Sequence, residues 1–169
     1  MWKLRLTCAI SLHKVTVCFF VIICIFLQIS LQDEVKIADV GVSKEATMIT
    51  GTMAGTPAFV APELIRSSMY DGKADIYSFG IMMWEMWYGR RAFLEVRGDL
   101  NTFWERVEEG ARPSHIEGTK MPPDQWKTLM QWCWGGEAEK RPTAEACHKE
   151  LTKLYSTVFL SDVQLNMQQ

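Results

Sequence analysis

Charge of one sign is missing from this chain. Its 18 lysines and arginines are balanced by 20 aspartates and glutamates, for a net charge of −2. No electrostatic footprint argues for a nucleic-acid partner, and none is expected. Cysteine is sparse: five residues, at positions 8, 18, 24, 133 and 147, contain no Cys-x-x-Cys pair. That spacing excludes the common zinc sites, and the odd number argues against a disulfide framework. Reduced, packed thiols are expected instead. No internal repeat is visible. What the chain does have is apolar and aromatic mass: seven tryptophans and eight phenylalanines in 169 residues. This suits one packed domain and excludes a disordered chain.

One long run lacks charge altogether. Val15 to Gln32, VTVCFFVIICIFLQISLQ, is uncharged across 18 residues, and Lys3, Arg5 and Lys14 precede it. As a helix it is just long enough to cross a bilayer, with the basic flank of an uncleaved signal-anchor. No small-x-small cleavage site follows it. Three other readings stand beside the anchor: a buried helix, a β-rich apolar run, or intron or alternative-exon sequence joined to a domain. Its Val, Ile and Phe content disfavours a helix in water but not in lipid.

Further along, Glu34 to Val40 alternates apolar and polar positions as a short strand does. Residues 42–60, VSKEATMITGTMAGTPAFV, read as a long irregular loop, and such loops in compact domains are usually functional. Pro62 can open a short helix over 62–66. Lys73 to Trp87, KADIYSFGIMMWEMW, is apolar nearly all round, with Asp75, Ser78 and Glu85 as exceptions. At about 20 Å it is too short to span a membrane and predicts a core helix. Leu100, Phe103, Trp104 and Val107 behind Asp99 predict a capped amphipathic helix. Trp126, Leu129, Met130 and Cys133 repeat that spacing. A last helix, from Thr143, is expected to bury Cys147, Leu151 and Leu154.

These stretches resemble the C-terminal lobe of protein kinases. KIADVG resembles the D-F-G turn, GTPAFVAPE the segment that ends in A-P-E, DGKADIYSFGIMMWEM the central core helix, and CWGGEAEKRP the stretch with the late arginine. The ending FWERVEEGARPSHIEG…WKTLMQWCWGGEAEKRP is similar to the dual serine/threonine and tyrosine protein kinases of the tyrosine-kinase-like group. The resemblance implies a mainly α fold, the helical lobe of the kinase-like α+β architecture. It covers residues 33–155, between an apolar segment 1–32 and a tail 156–169.

It also implies roles. Asp39 would bind the Mg²⁺ that bridges ATP phosphates, with Gly41 turning the backbone behind it. Thr56 would orient the substrate hydroxyl, and Pro57, Ala58, Phe59 and Val60 would shape the substrate platform. Glu63 and Arg141 would form a buried ion pair, and Asp75 would hold the catalytic loop from below. Thr47, Thr50 and Thr52 would be activation-loop phosphorylation sites. Read alone, Asp39 is a turn residue, Thr56 a turn hydroxyl, Glu63 and Arg141 surface charges, and the three threonines solvated. Val40 departs from the pattern, standing where phenylalanine is common.

Other parts of the kinase pattern are lacking. The sequence has no Gly-x-Gly-x-x-Gly run and no Arg-Asp dipeptide, and its only asparagines are Asn101 and Asn166. The glycine-rich loop, the ATP lysine, the H-R-D loop and its second metal ligand therefore have no counterpart, and no catalytic residue is assigned. By resemblance, the parent would be a cytoplasmic enzyme that transfers the ATP γ-phosphate to protein Ser/Thr, and in this group Tyr. This chain is expected to hold ATP and Mg²⁺ weakly and to be inactive alone. The alternative is a pseudokinase-like interaction module for a protein partner, membrane-associated if Val15–Gln32 is an anchor.

Overall fold

The computed structural model describes residues 26–29, 35–38, 49–50, 57–66, 69–94 and 99–156, with side chains for 57–66, 70–94 and 99–156. Most of this is helix, as expected. Two small antiparallel pairs precede and flank the helices. Strand β1 (Phe26–Ile29) pairs with β2 (Val35–Ala38), Phe26 opposite Ala38 and Ile29 opposite Val35. The end of the apolar run is thus a strand, so Val15–Gln32 does not form one spanning helix. Among the described residues no helix is long and apolar enough to cross a membrane. The rest of the run, residues 15–25 and 30–32, lies outside the described residues.

Strand β3 (Ile49–Thr50) pairs with β4 (Met69–Tyr70), Ile49 opposite Tyr70. The stretch read as wholly irregular therefore contains a short strand, which reaches across to the residues after the first helix. That helix, α1 (Pro62–Arg66), carries proline at its first position, where no backbone N–H is needed.

The body is organised on α2 (Lys73–Tyr88), which is apolar on every face and buries Ile76, Tyr77, Ile81, Met83, Trp84 and Trp87 among others. It stops at Gly89, whose φ of 65° is the left-handed conformation that glycine adopts without penalty, and whose N–H donates to Glu85 O. Helix α3 (Leu100–Glu108) starts where Asp99 accepts the Thr102 N–H at 2.9 Å. Only Val107 of its predicted apolar stripe is buried, while Leu100 is 52% exposed. Helix α4 (Asp124–Cys133) crosses α2, and α5 (Ala144–Leu154) packs on α4. Thr143 is the cap of α5, accepting the Ala146 N–H at 3.1 Å.

Close approach of α2 to α4 depends on Gly80. A Cβ there would lie 3.0 Å from Cys133 Cβ, 3.0 Å from Trp134 N and 3.1 Å from Met130 O. Trp87 and Trp126 meet nearby with ring centroids 5.8 Å apart. Two tryptophans of α2 also hold the connection to α4 in place. Trp84 Nε1 donates to Ser114 O at 3.0 Å, and Trp87 Nε1 to Lys120 O at 2.8 Å. Cys133 and Cys147 are buried free thiols, while Cys8, Cys18 and Cys24 lie outside the described residues.

Candidate substrate platform

Residues 57–66 form a short unit fastened to the front of α2. Pro57–Phe59 make one 3-10 turn, closed by the Val60 N–H donating to Pro57 O at 3.2 Å. Val60 and Ala61 then sink into the core, and Phe59 and Leu64 follow them in part or in full. Ser78, a polar position in an apolar helix, faces this turn: its Oγ donates to Phe59 O at 2.7 Å.

The second fastening is ionic. The Arg141 guanidinium meets the Glu63 carboxylate as a fork, Nη1 to Oε1 at 2.7 Å and Nη2 to Oε2 at 2.8 Å. Two further donors reach Gly135 O at 2.8 Å and Lys73 O at 2.9 Å. The Arg141 side chain is 0% exposed and that of Glu63 22%. A buried cation needs this degree of satisfaction, because desolvation costs several kcal/mol per ion. The loop between α4 and α5 delivers Arg141 through a 3-10 turn at Ala138–Lys140, and Lys73 Nζ returns a bond to Arg141 O at 2.6 Å.

Beside the pair, the Tyr77 ring meets two guanidiniums, with Arg112 Cζ at 5.0 Å and Arg141 Cζ at 5.2 Å from its centroid. Cations over an aromatic face are attracted by its quadrupole. Arg112 is anchored by Trp134 O, Val107 O and Ala111 O, and burial lowers its pKa. Burial pushes the Tyr77 phenol up to about 12, against the opposing pull of Arg112 and Arg141. Its hydroxyl has no partner among the described residues.

The structure therefore brings Phe59, Glu63 and Arg141 onto one connected unit. Asp75 sits in the first turn of α2, where it adds to burial in raising the Tyr70 pKa. Asp39, Gly41, Thr47, Thr52 and Thr56 lie outside the described residues. Thr50 falls in β3, and its side chain is not described. Ser78, Tyr77 and Arg112 had no assigned part in the site. Ser78 left a signal, as one of three polar exceptions in the core helix, and Glu85, another, accepts the Ala92 N–H at 2.7 Å. Nothing in the local sequence marks Tyr77 or Arg112.

The family profile of protein tyrosine and serine/threonine kinase matches residues 25–151. The chain belongs to the protein kinases. Within this kinase chain the matched stretch runs from β1 into α5. A dual serine/threonine and tyrosine protein kinase of Xenopus laevis is 39% identical over 111 residues, covering 63% of this chain and 12% of that protein. A probable serine/threonine-protein kinase of Dictyostelium discoideum is 34% identical over 122 residues, 72% of this chain and 9% of that protein. The dual kinase of Macaca mulatta is 36% identical over 115 residues. The chain spans about an eighth of the length of the curated relatives it matches, or less.

Proposed function

We propose that this polypeptide is the substrate-presenting part of a protein kinase, and that the whole kinase transfers the ATP γ-phosphate to protein Ser/Thr and Tyr. The observation that carries this is the fork between Arg141 and Glu63, which with the Ser78 bond fixes residues 57–66 against the core. Positioning is most of what a protein contributes to phosphoryl transfer, so a rigid platform is itself a catalytic asset. On this reading Pro57, Ala58, Phe59 and Val60 form the surface against which the peptide lies. Thr56 orients the accepting hydroxyl, and Asp75 supports the catalytic loop. Thr47, Thr50 and Thr52 are the sites at which phosphorylation would set the loop.

Toward Mg²⁺ and ATP this reading assigns Asp39, the acid of the KIADVG motif, with Gly41 behind it, both outside the described residues. Among the described residues no group of three or more His, Cys, Asp or Glu side chains could hold a metal ion. No glycine-rich loop or Arg-Asp pair supplements it. This donor set does not fit a Mg²⁺–nucleotide complex, so the polypeptide by itself neither holds ATP tightly nor transfers phosphate. Thermal unfolding with and without Mg²⁺-ATP tests this. No change in Tm is expected, and a rise consistent with micromolar affinity would overturn it, because a ligand that binds the native state must stabilise it.

The competing reading, a non-catalytic interaction module, is favoured by Leu94 and Leu100, which are 69% and 52% exposed around the start of α3. Fluorescence anisotropy with a serine-containing peptide separates the two. Weakening by Phe59→Asp and not by Leu100→Asp supports the platform, and the opposite pattern supports the module.

A further inference from the structure

Two thiols that the kinase reading does not use lie against each other in the core. Cys133 ends α4, Cys147 lies in the first half of α5, and their Sγ atoms are 3.6 Å apart. The chain between them carries Gly135, which accepts from Arg141, and Arg141 itself. We propose that Cys133 and Cys147 form a dithiol that hydrogen peroxide oxidises to a disulfide, stapling α4 to α5 and fixing the loop that presents Arg141 to Glu63.

The geometry assigns unequal parts to the two sulfurs. A disulfide bond is about 2.05 Å long, so the sulfurs must close by about 1.5 Å. Cys133 lies where α4 approaches α2 at Gly80, its Cβ 3.0 Å from the position a Cβ on that glycine would take, and it is fully enclosed. The movement falls to Cys147, which also has the little exposure the pair retains, 4% against 0%. The thiol hydrogen bond works in the same direction. It lowers the Cys147 pKa and, together with burial, raises that of Cys133. Cys147, the less enclosed of the two, is the sulfur that peroxide reaches first, and Cys133 lies 3.6 Å away as the resolving thiol.

The chemistry balances with one peroxide. The Cys147 thiolate attacks a peroxide oxygen; an S–O bond forms, the O–O bond breaks, and the released hydroxide takes a proton to become water. The Cys133 sulfur then attacks the Cys147 sulfur. The S–S bond forms, the S–O bond breaks, and the second hydroxide leaves with the Cys133 proton as water. Each sulfur gives up one electron, and the peroxide is reduced by both.

The test is a peptide map of the full chain, treated with hydrogen peroxide, alkylated and digested with trypsin without reductant. Cleavage after Lys127, Lys140 and Lys149, with the Arg141–Pro142 bond resistant, places Cys133 in peptide 128–140 and Cys147 in peptide 141–149. The two peptides should appear joined, lighter than their sum by two hydrogens, and separate again with dithiothreitol. Oxidised protein should melt at a higher temperature than reduced protein, since a closed loop constrains the unfolded chain. In Cys133→Ser, Cys147 should persist as a sulfenic acid that dimedone traps. Three results would overturn the proposal: both peptides remain alkylated, Cys147 goes to sulfinic acid without a link, or either cysteine is joined to Cys8, Cys18 or Cys24. The map of the unmutated chain decides even if the serine variant fails to fold.

Discussion

Replacing Arg141 by leucine removes the most heavily bonded side chain of the platform, and the structure lets the loss be sized. Arg141 is fully buried and gives four hydrogen bonds, two of them to a carboxylate that is itself only 22% exposed. Leucine fills part of the volume and leaves Glu63 charged and facing it, with Gly135 O and Lys73 O short of a donor. Removing one partner of a buried pair costs about 3–5 kcal/mol, and the residual exposure of Glu63 points to the lower end, about 3 kcal/mol. For a chain of this size that corresponds to a fall in Tm of roughly 6–12 °C.

The assay is urea or thermal unfolding followed by circular dichroism, run as a double-mutant cycle with Glu63→Leu. The double variant should recover part of the loss, because no stranded charge remains. Arg141→Lys should not rescue it, since an ammonium cannot reproduce the two-pronged match to Glu63. A loss below about 1 kcal/mol would refute the reasoning, because that is the value of an exposed ion pair. The platform would then need another fastening than this one.

Gly80→Ala gains helix propensity worth about 1 kcal/mol but forces a methyl against two backbone atoms and Cys133 Cβ. The overpacking costs about 1–3 kcal/mol, so the net effect on Tm is a decrease, and an increase would mean that α4 can yield. Tyr77 keeps its proton in the folded state to about pH 12, whereas the unfolded chain loses it near 10. The native state binds more protons in that window, so stability falls as pH rises from about 10 to 12, by roughly 3 kcal/mol in all. Tyr77→Phe should remove that slope and leave stability at neutral pH unchanged or higher, since the hydroxyl it deletes has no partner among the described residues. Asp99→Ala deletes the acceptor of the Thr102 N–H. That bond holds the Asp99 carboxyl below its usual range, so the wild-type advantage in Tm should be present above the ordinary carboxylate range and fade as pH falls through the lowered value.

The helices were readable because each has a local signature. Pro62, Asp99 and Thr143 mark starts, and Gly89 ends the core helix at the left-handed position where glycine is favoured. Of the strands, Val35–Ala38 was marked by its alternation, and the others had no such mark. Phe26–Ile29 sits inside an apolar run without period, and such a run does not tell strand from helix until a partner is known. Ile49–Thr50 is two residues long and exists by virtue of Met69–Tyr70, some twenty positions on. Even within a readable helix, the period gave Leu100 an inward position that it does not take, because α3 is only partly covered. The same division runs through the site. Glu63 and Arg141, 78 residues apart, would each pass for a surface charge, and it was the wider motif that joined them. The contact of Tyr77 with Arg112 and Arg141 had neither motif nor period to announce it, since it is made only when α2 meets two loops at once. The 57–66 unit is thus fastened by long-range partners. Two kinds of perturbation should therefore be distinguishable in the protein: loss of a cap lowers one helix, while loss of Arg141 releases the 57–66 unit as a whole. Limited proteolysis would register the second as new cleavage near Phe59 in Arg141→Leu that Asp99→Ala does not show.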